Sequence, residues 1–211
     1  MIGARRAALA AALAVAACAQ SDPNARLLRA AKHGDSRAAA AALNGGAYVN
    51  AADEDGWTPL MWAAAHGDEA TVALLLDAGA DLRAATPAKG QGALILAAQW
   101  NRAPVVALLI RRGASVRRTD SIGWTALMWA ALKGRSDVAA VLLDGGAPVE
   151  MRDPAGNTPL MLAARQGRLD TVKLLLSRGA NPAARNADGD TAQSLATDAD
   201  YPKVAALCPA N

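Results

Sequence analysis

The chain has 211 residues, of which 53% are hydrophobic but only 3% aromatic, a composition that excludes a disordered chain and favours helices packed through alanine and leucine. The formal net charge is +3, and without Arg5 and Arg6 of the N-terminal segment 20 basic residues face 19 acidic ones. Such a balance gives little attraction to a phosphate backbone, so we expect no nucleic-acid partner.

Residues 1–19, MIGARRAALAAALAVAACA, have the order of a secretory signal peptide. Two arginines precede an apolar run from Ala7 to Ala17, and small residues follow it. This run is shorter than the roughly 18–20 apolar residues that a membrane-spanning helix needs. We therefore predict a signal peptide over 1–19, export to the periplasm, and a folded domain over 20–211.

Two cleavage sites compete at the end of this segment. Val15-Ala16-Ala17-Cys18 resembles the lipobox of bacterial lipoproteins, in which the cysteine is acylated and becomes the new N-terminus. Ala17-Cys18-Ala19 also fits an ordinary A-x-A site, which would leave Gln20 as the first residue. The lipoprotein alternative is slightly favoured, and the lack of Asp after Cys18 would then direct the protein to the outer membrane. Membrane contact is expected only through this anchor.

A repeat dominates the rest of the chain. Similar segments begin at Gly56 (GWTPL), Gly90 (GQGAL), Gly123 (GWTAL), Gly156 (GNTPL) and Gly189 (GDTAQ), with spacings of 34, 33, 33 and 33 residues. A second glycine series, at Gly46, Gly79, Gly113, Gly146 and Gly179, has spacings of 33, 34, 33 and 33. Both series take their extra residue between the same two repeats, so two independent landmarks define one period of about 33 residues.

The local chemistry of one period predicts a helix–turn–helix unit. Thr58 and Thr158 are suited to N-cap a helix, and the prolines that follow occupy the first helical position, where no amide donor is needed. Gly67, Gly134 and Gly167 break the chain before a second helix rich in valine and leucine, and Gly79, Gly146 and Gly179 supply its left-handed C-terminal cap. Each unit is too small to bury its apolar face alone, so neighbouring units must stack.

This pattern resembles the ankyrin repeat, whose period is 33 and whose first helix begins with T-P-L. The matching segments are TPLMWAA at 58–64, TALMWAA at 125–131 and TPLMLAA at 158–164, and the resemblance covers residues 23–211. It implies an all-α ankyrin-repeat solenoid of stacked helix–turn–helix units with finger loops. We expect an N-terminal cap repeat over 23–55, repeats over 56–89, 90–122, 123–155 and 156–188, and a C-terminal cap repeat over 189–211. Arg29 and Gln193 mark the caps, because each replaces an apolar residue of the inner repeats.

Two departures from the family pattern stand out. The histidine that usually follows T-P-L is replaced by Met61, Ile95, Met128 and Met161. We therefore expect the stack to depend on apolar burial more than on a polar ladder.

The third repeat carries the extra residue in 86–89, has Gly92 in place of the threonine cap, and has 101–104 (NRAP) in place of a glycine turn. This is interpreted either as a finger remodelled for a partner or as neutral drift.

No pattern in the sequence points to catalysis. His33 and His66 occupy corresponding positions one repeat apart, but no further ligand completes a metal site, and no nucleophile elbow, P-loop or H-E-x-x-H segment occurs. We predict no enzyme, no cofactor and no metal.

Cys208 falls in the second-helix core row and is interpreted as a core residue. The basic cluster at 111–118, with four arginines, fits either solvated helix ends or an anion contact.

All five tryptophans lie in the finger and first-helix part of the repeat, on the face with which ankyrin-repeat proteins bind partners. The resemblance places a partner-binding set there: Trp57, Trp62, Trp100, Trp124, Trp129, His66 and Lys133. Packing of Trp62 and Trp129 inside the stack is the open alternative. We predict a monomeric, non-catalytic binding module or scaffold for a protein partner of unknown identity. An inhibitor or immunity-type regulator of a periplasmic enzyme is the alternative with the same sequence features.

Overall fold

The computed structural model of the chain describes residues 22–209, so the predicted signal peptide and Cys18 lie outside the described residues. Within 22–209 the chain forms helices connected by turns, and an isolated bridge joins Thr119 and Thr125. The helices are α1 (Pro23–His33), α2 (Ser36–Asn44), α3 (Pro59–His66), α4 (Glu69–Asp77), α5 (Ala93–Gln99), α6 (Ala103–Arg111), α7 (Ala126–Lys133), α8 (Ser136–Asp144), α9 (Pro159–Arg165), α10 (Leu169–Ser177), α11 (Ala192–Asp198) and α12 (Pro202–Ala205).

The helices form two parallel rows. Each odd-numbered helix packs on the even-numbered helix that follows it, which makes one repeat. The first helices, α1, α3, α5, α7, α9 and α11, contact one another in that order, and the second helices, α2 to α12, do the same. Fingers connect one repeat to the next. The structure therefore confirms the predicted all-α solenoid of stacked helix–turn–helix units.

The predicted start and stop signals are confirmed at the residues that were named for them. Thr58 and Thr158 accept hydrogen bonds from the amides of Met61 and Met161, both at 3.4 Å, and α3 and α9 begin at the prolines that follow these threonines. The six glycines named as breaks and caps all have positive φ, between 64° and 86°. Short-range chemistry thus fixes where each helix of a repeat begins and ends.

The core is continuous from the first repeat to the last and consists mainly of alanine and leucine. Met61, Met128 and Met161 are buried within the stack, as their place in the motif predicts. Cys208 is fully buried in the same core, which confirms that it is a core residue, and burial raises the pKa of its thiol. The basic cluster is in part a helix-end feature, because Arg112 pairs with Asp77 at 2.8 Å.

An arginine from the next repeat covers the turn glycine of two repeats. Arg102 donates its Nε hydrogen to the carbonyl oxygen of Ala65 at 3.0 Å, and a Cβ on Gly67 would lie 2.7 Å from its Cδ. Arg168 has the same relation to the carbonyl oxygen of Leu132, at 3.1 Å, and to Gly134. The glycine is therefore needed both for its positive φ and for the space above it.

Candidate functional site

The structure places the seven predicted binding residues on the fingers and the first helices, but it divides them by exposure. Trp57 and Trp124 lie in the fingers, Trp62 and His66 on α3, Trp129 and Lys133 on α7, and Trp100 directly after α5. Trp100 is 58% exposed, and His66 and Lys133 are also exposed. The other four tryptophans are half-buried. The fold therefore does not present a row of fully exposed tryptophan rings.

A compact aromatic cluster forms on the second repeat. The ring centroids of Trp57 and Trp62 are 4.4 Å apart, and the ring of His66 lies parallel to Trp62 at 6.2 Å. The ammonium group of Lys32, from the first repeat, sits 4.6 Å from the centroid of the Trp62 ring. These contacts hold the Trp62 ring between two repeats, and they leave a cation–π pair at the surface.

The fourth repeat has a similar pair, formed by Trp124 and Trp129 with centroids 4.9 Å apart. Trp129 also packs against the main core, and Trp57 packs against the buried side chains of Met61, Ala65 and Leu96. Each of these rings has therefore one side in the stack and another toward solvent. These rings therefore pack in the stack and also form part of the surface, two roles that the sequence analysis treated as alternatives.

Carboxylates at the base of the fingers hold three of the indole groups, and sequence reasoning missed them. Asp53 accepts the indole N–H of Trp62 at 2.8 Å, and Asp120 accepts that of Trp129 at 2.7 Å. Asp153 accepts the indole N–H of Trp124, which lies in the preceding finger, at 3.1 Å. We call Asp53, Asp120 and Asp153 the finger carboxylates. The signal was present, since an aspartate stands four residues before Trp57, Trp124 and Asn157, but the spacing alone does not reveal its partners.

The finger carboxylates also close their own turns. In Asp120, for example, Oδ1 accepts the backbone amides of Ile122 at 3.1 Å and Trp124 at 2.9 Å, while Oδ2 takes the indole hydrogen of Trp129. The stack therefore combines the apolar burial that the sequence predicts with polar contacts that it did not predict. The methionines do supply apolar contact, but charge-assisted hydrogen bonds from the fingers restore a polar ladder.

The third repeat interrupts this ladder. The position that corresponds to Asp153 is Thr86, whose hydroxyl oxygen accepts the backbone amide of Gln91 at 3.2 Å. Consequently the indole N–H of Trp57, which corresponds to Trp124, has no acceptor among the described residues. Beside it lies an open pocket of about 250 Å³, lined by Asp55, Trp57, Thr86, Ala88, Lys89 and Gln91. The free indole N–H donor of Trp57 and the residue Lys89 therefore line the same pocket, where the second and third fingers adjoin.

This face offers groups that can recognise a partner. Among residues 22–209, no group of three or more His, Cys, Asp or Glu side chains is placed to hold a metal ion. In the same range no helix is long and apolar enough to cross a membrane. The face presents aromatic rings, exposed cations at the ends of the first helices, and unpaired N–H donors beside the third repeat. These groups suit a partner that supplies apolar surface together with hydrogen-bond acceptors.

A comparison with known families gives a match over most of the chain. A family model described as ankyrin repeats (3 copies) matches the chain over residues 27–120, 94–186 and 146–208. Together these segments span nearly the whole of the described chain. A comparison with curated proteins found no match.

Proposed function

Because the chain belongs to the ankyrin-repeat family, a family of protein–protein interaction modules, we propose that it is a non-catalytic binding protein whose partner contacts the fingers and first helices. One observation carries this proposal: the Trp100 side chain is 58% exposed and makes no hydrogen bond or ring contact with the rest of the described chain. Covering such a ring on binding would contribute about 3 kcal/mol of apolar burial.

The neighbours of Trp100 support the same face. His66 and Lys133 occupy the corresponding positions of the adjacent repeats, and both are exposed. Three of the half-buried tryptophans, Trp62, Trp124 and Trp129, are held by the finger carboxylates, so little side-chain entropy remains to be lost when a partner covers them. A rigid aromatic surface with polar edges is typical of the centre of a protein–protein interface.

Affinity capture with matched variants tests this proposal. The bait is the purified protein, the prey is an extract of the cells that express it, and recovery is quantified by mass spectrometry. Trp100→Ala should lower recovery of the specific partner at least tenfold, since about 1.4 kcal/mol corresponds to a tenfold change in affinity. Lys173→Ala is the control, because Lys173 is exposed but lies on the second helix α10, away from the fingers and first helices. Equal recovery by Trp100→Ala and the wild-type protein would remove this face from the function.

The protein is further proposed to act outside the cytoplasm, in the periplasm, tethered to the outer membrane when Cys18 is acylated. The support is the composition of residues 1–19 and the short distance from Cys18 to the first described residue, Asp22. An extended segment of this length spans about 14 Å, so an acylated Cys18 would keep α1 close to the bilayer surface. Intact-mass analysis of the purified protein decides the matter. An acylated Cys18 or a free Gln20 supports export, whereas an N-terminus that retains Met1 contradicts it.

A further inference from the structure

Two buried hydrogen-bond donors beside the third repeat have no partner within the described chain. They are the Nε atom of Arg135, just before α8, and the Nε2 atom of Gln99, the last residue of α5. The whole guanidinium group of Arg135 makes no hydrogen bond or ion pair in the described chain. A buried donor without an acceptor is unfavourable, so both groups call for an explanation.

The repeat register shows that the two donors belong to one junction. Arg135 occupies the position of Arg102 and Arg168, each of which donates its Nε hydrogen to a carbonyl oxygen near the end of the preceding first helix. The residues that supply those oxygens are Ala65 and Leu132, and the corresponding residue for Arg135 is Gln99. By this register Arg135 and Gln99 belong to the same junction, where the third repeat packs on the fourth.

Asn101 explains why Arg135 lacks the bond that its two counterparts make. Arg102 and Arg168 pass over Gly67 and Gly134, where a Cβ would lie 2.7 Å from the arginine Cδ. In the third repeat the corresponding residue is Asn101, which adopts the same positive φ, 60°, and carries a Cβ. That carbon occupies the space that the arginine needs. Arg135 is therefore displaced from the carbonyl oxygen of Gln99.

The surroundings of this junction favour an anion. The corresponding positions at the ends of the first helices hold His33, His66, Trp100, Lys133, Gln166 and Ala199, and none is acidic. Asp137, two residues after Arg135, is exposed and forms no ion pair with it. A guanidinium presents a planar fork of N–H donors that matches the two oxygens of a carboxylate. The Trp100 ring next to Gln99 can cover the methylene groups of an acidic side chain.

We propose that Gln99, Trp100 and Arg135 form a subsite that binds an aspartate or glutamate side chain of the protein partner. This inference rests on the proposed function and deepens it, because it assigns a chemical class to one contact of that partner. The guanidinium and the amide donate hydrogen bonds to the carboxylate oxygens, and Lys133 adds positive charge at the edge. The substitution of glycine by Asn101 creates the subsite.

Side-chain resonances of the full protein, labelled with ¹⁵N, provide a direct test. The probe is N-acetyl-glutamate N-methylamide, and the matched neutral probe is N-acetyl-glutamine N-methylamide. The glutamate probe should shift the Nε–H signal of Arg135 and the amide signals of Gln99 saturably, with half-saturation on the order of 10 mM for so small a ligand. The Nε–H signals of Arg102 and Arg168 are internal controls, since their hydrogens are already bound, and they should not shift.

A designed variant separates this subsite from a general effect of charge. Asn101→Gly removes the Cβ, lets Arg135 reach the carbonyl oxygen of Gln99, and should abolish the shift while the protein stays folded. Arg135→Gln should abolish it as well. Absence of a shift in the wild-type protein, an equal shift with the neutral probe, an unchanged response in Asn101→Gly, or a stronger response to inorganic phosphate would each overturn the proposal. The proposed function fails separately, when Trp100→Ala captures the partner as well as the wild-type protein does.

Discussion

Asp120 shows how much of the fold can depend on one carboxylate. Although only 8% exposed, it accepts two backbone amides of its own finger and the indole hydrogen of Trp129 on α7. It therefore fixes the finger turn and the angle between finger and helix at the same time. Asp53 does the same for the second repeat, through Trp57, Asp55 and Trp62. The rigidity of the aromatic face follows from these bonds.

Asp120→Asn should lower the free energy of unfolding by about 1–3 kcal/mol, because the amide is a weaker acceptor and places an N–H group against one of three donors. Urea unfolding followed by circular dichroism measures the change. Asp188→Asn is the matched control, since Asp188 is an exposed finger residue whose carboxylate accepts no hydrogen bond, and its effect should be within about 0.5 kcal/mol. Equal effects of the two substitutions would contradict the role given to the finger carboxylates.

Cys208 should be chemically silent in the folded protein. It is fully buried, and burial raises the pKa of its thiol above the ordinary value, so little thiolate forms at pH 8. Labelling by a maleimide, located by peptide mapping, should proceed only as fast as the chain unfolds. Fast stoichiometric labelling of Cys208 under native conditions would show that the C-terminal repeat is open.

The raised pKa of the Cys208 thiol also predicts that the free energy of unfolding depends on pH. Since the folded pKa is raised, the stabilising contribution of Cys208 is complete below the ordinary thiol pKa and is lost as the pH rises toward the folded value. Above the ordinary thiol pKa, the wild-type protein should therefore lose stability more steeply than Cys208→Ala. Urea midpoints measured across that range provide the comparison, and parallel curves for the two proteins would exclude this linkage.

At the scale of the helical hairpin, the residue in the turn between the two helices of a repeat decides whether the arginine of the next repeat reaches a backbone carbonyl oxygen. Asn101→Gly should raise the free energy of unfolding by about 1 kcal/mol, because glycine adopts a positive φ at lower cost and Arg135 regains an acceptor. Gly134→Ala should lower it by about 1–3 kcal/mol, because its φ is 69° and the new Cβ would lie 2.7 Å from Arg168 Cδ. Urea unfolding measures both. Changes of the same sign would contradict this account of the turn.

Helix boundaries were predictable from the sequence because their causes lie within a few residues. A threonine cap such as Thr58, the proline after it and a left-handed glycine such as Gly79 act on the adjacent backbone. The contacts between neighbouring fingers and between neighbouring repeats were not predictable in the same way. The bond from Trp124 to Asp153 joins residues 29 apart, and the displacement of Arg135 depends on one Cβ in the neighbouring repeat. Such effects require the stack itself.

For the whole molecule, the repeated core supplies stability and the irregular third repeat supplies the groups that the fold leaves free. Thr86 leaves the indole N–H of Trp57 without an acceptor, Asn101 leaves Arg135 without one, and Trp100 extends from the end of α5. The sequence placed the tryptophans on the fingers and first helices and marked the third repeat as irregular. It did not show that this irregularity concentrates unpaired donors in the middle of that face.

Site-specific photo-crosslinking in living cells tests the central claim most directly. A benzoyl-phenylalanine residue is introduced in place of Trp100 and, as a control, in place of Arg178, which is exposed just after the second helix α10. The account predicts that irradiation joins position 100 to one discrete protein, while position 178 gives no such product. Crosslinking from position 178 but not from position 100 would contradict the assignment of the partner to the fingers and first helices.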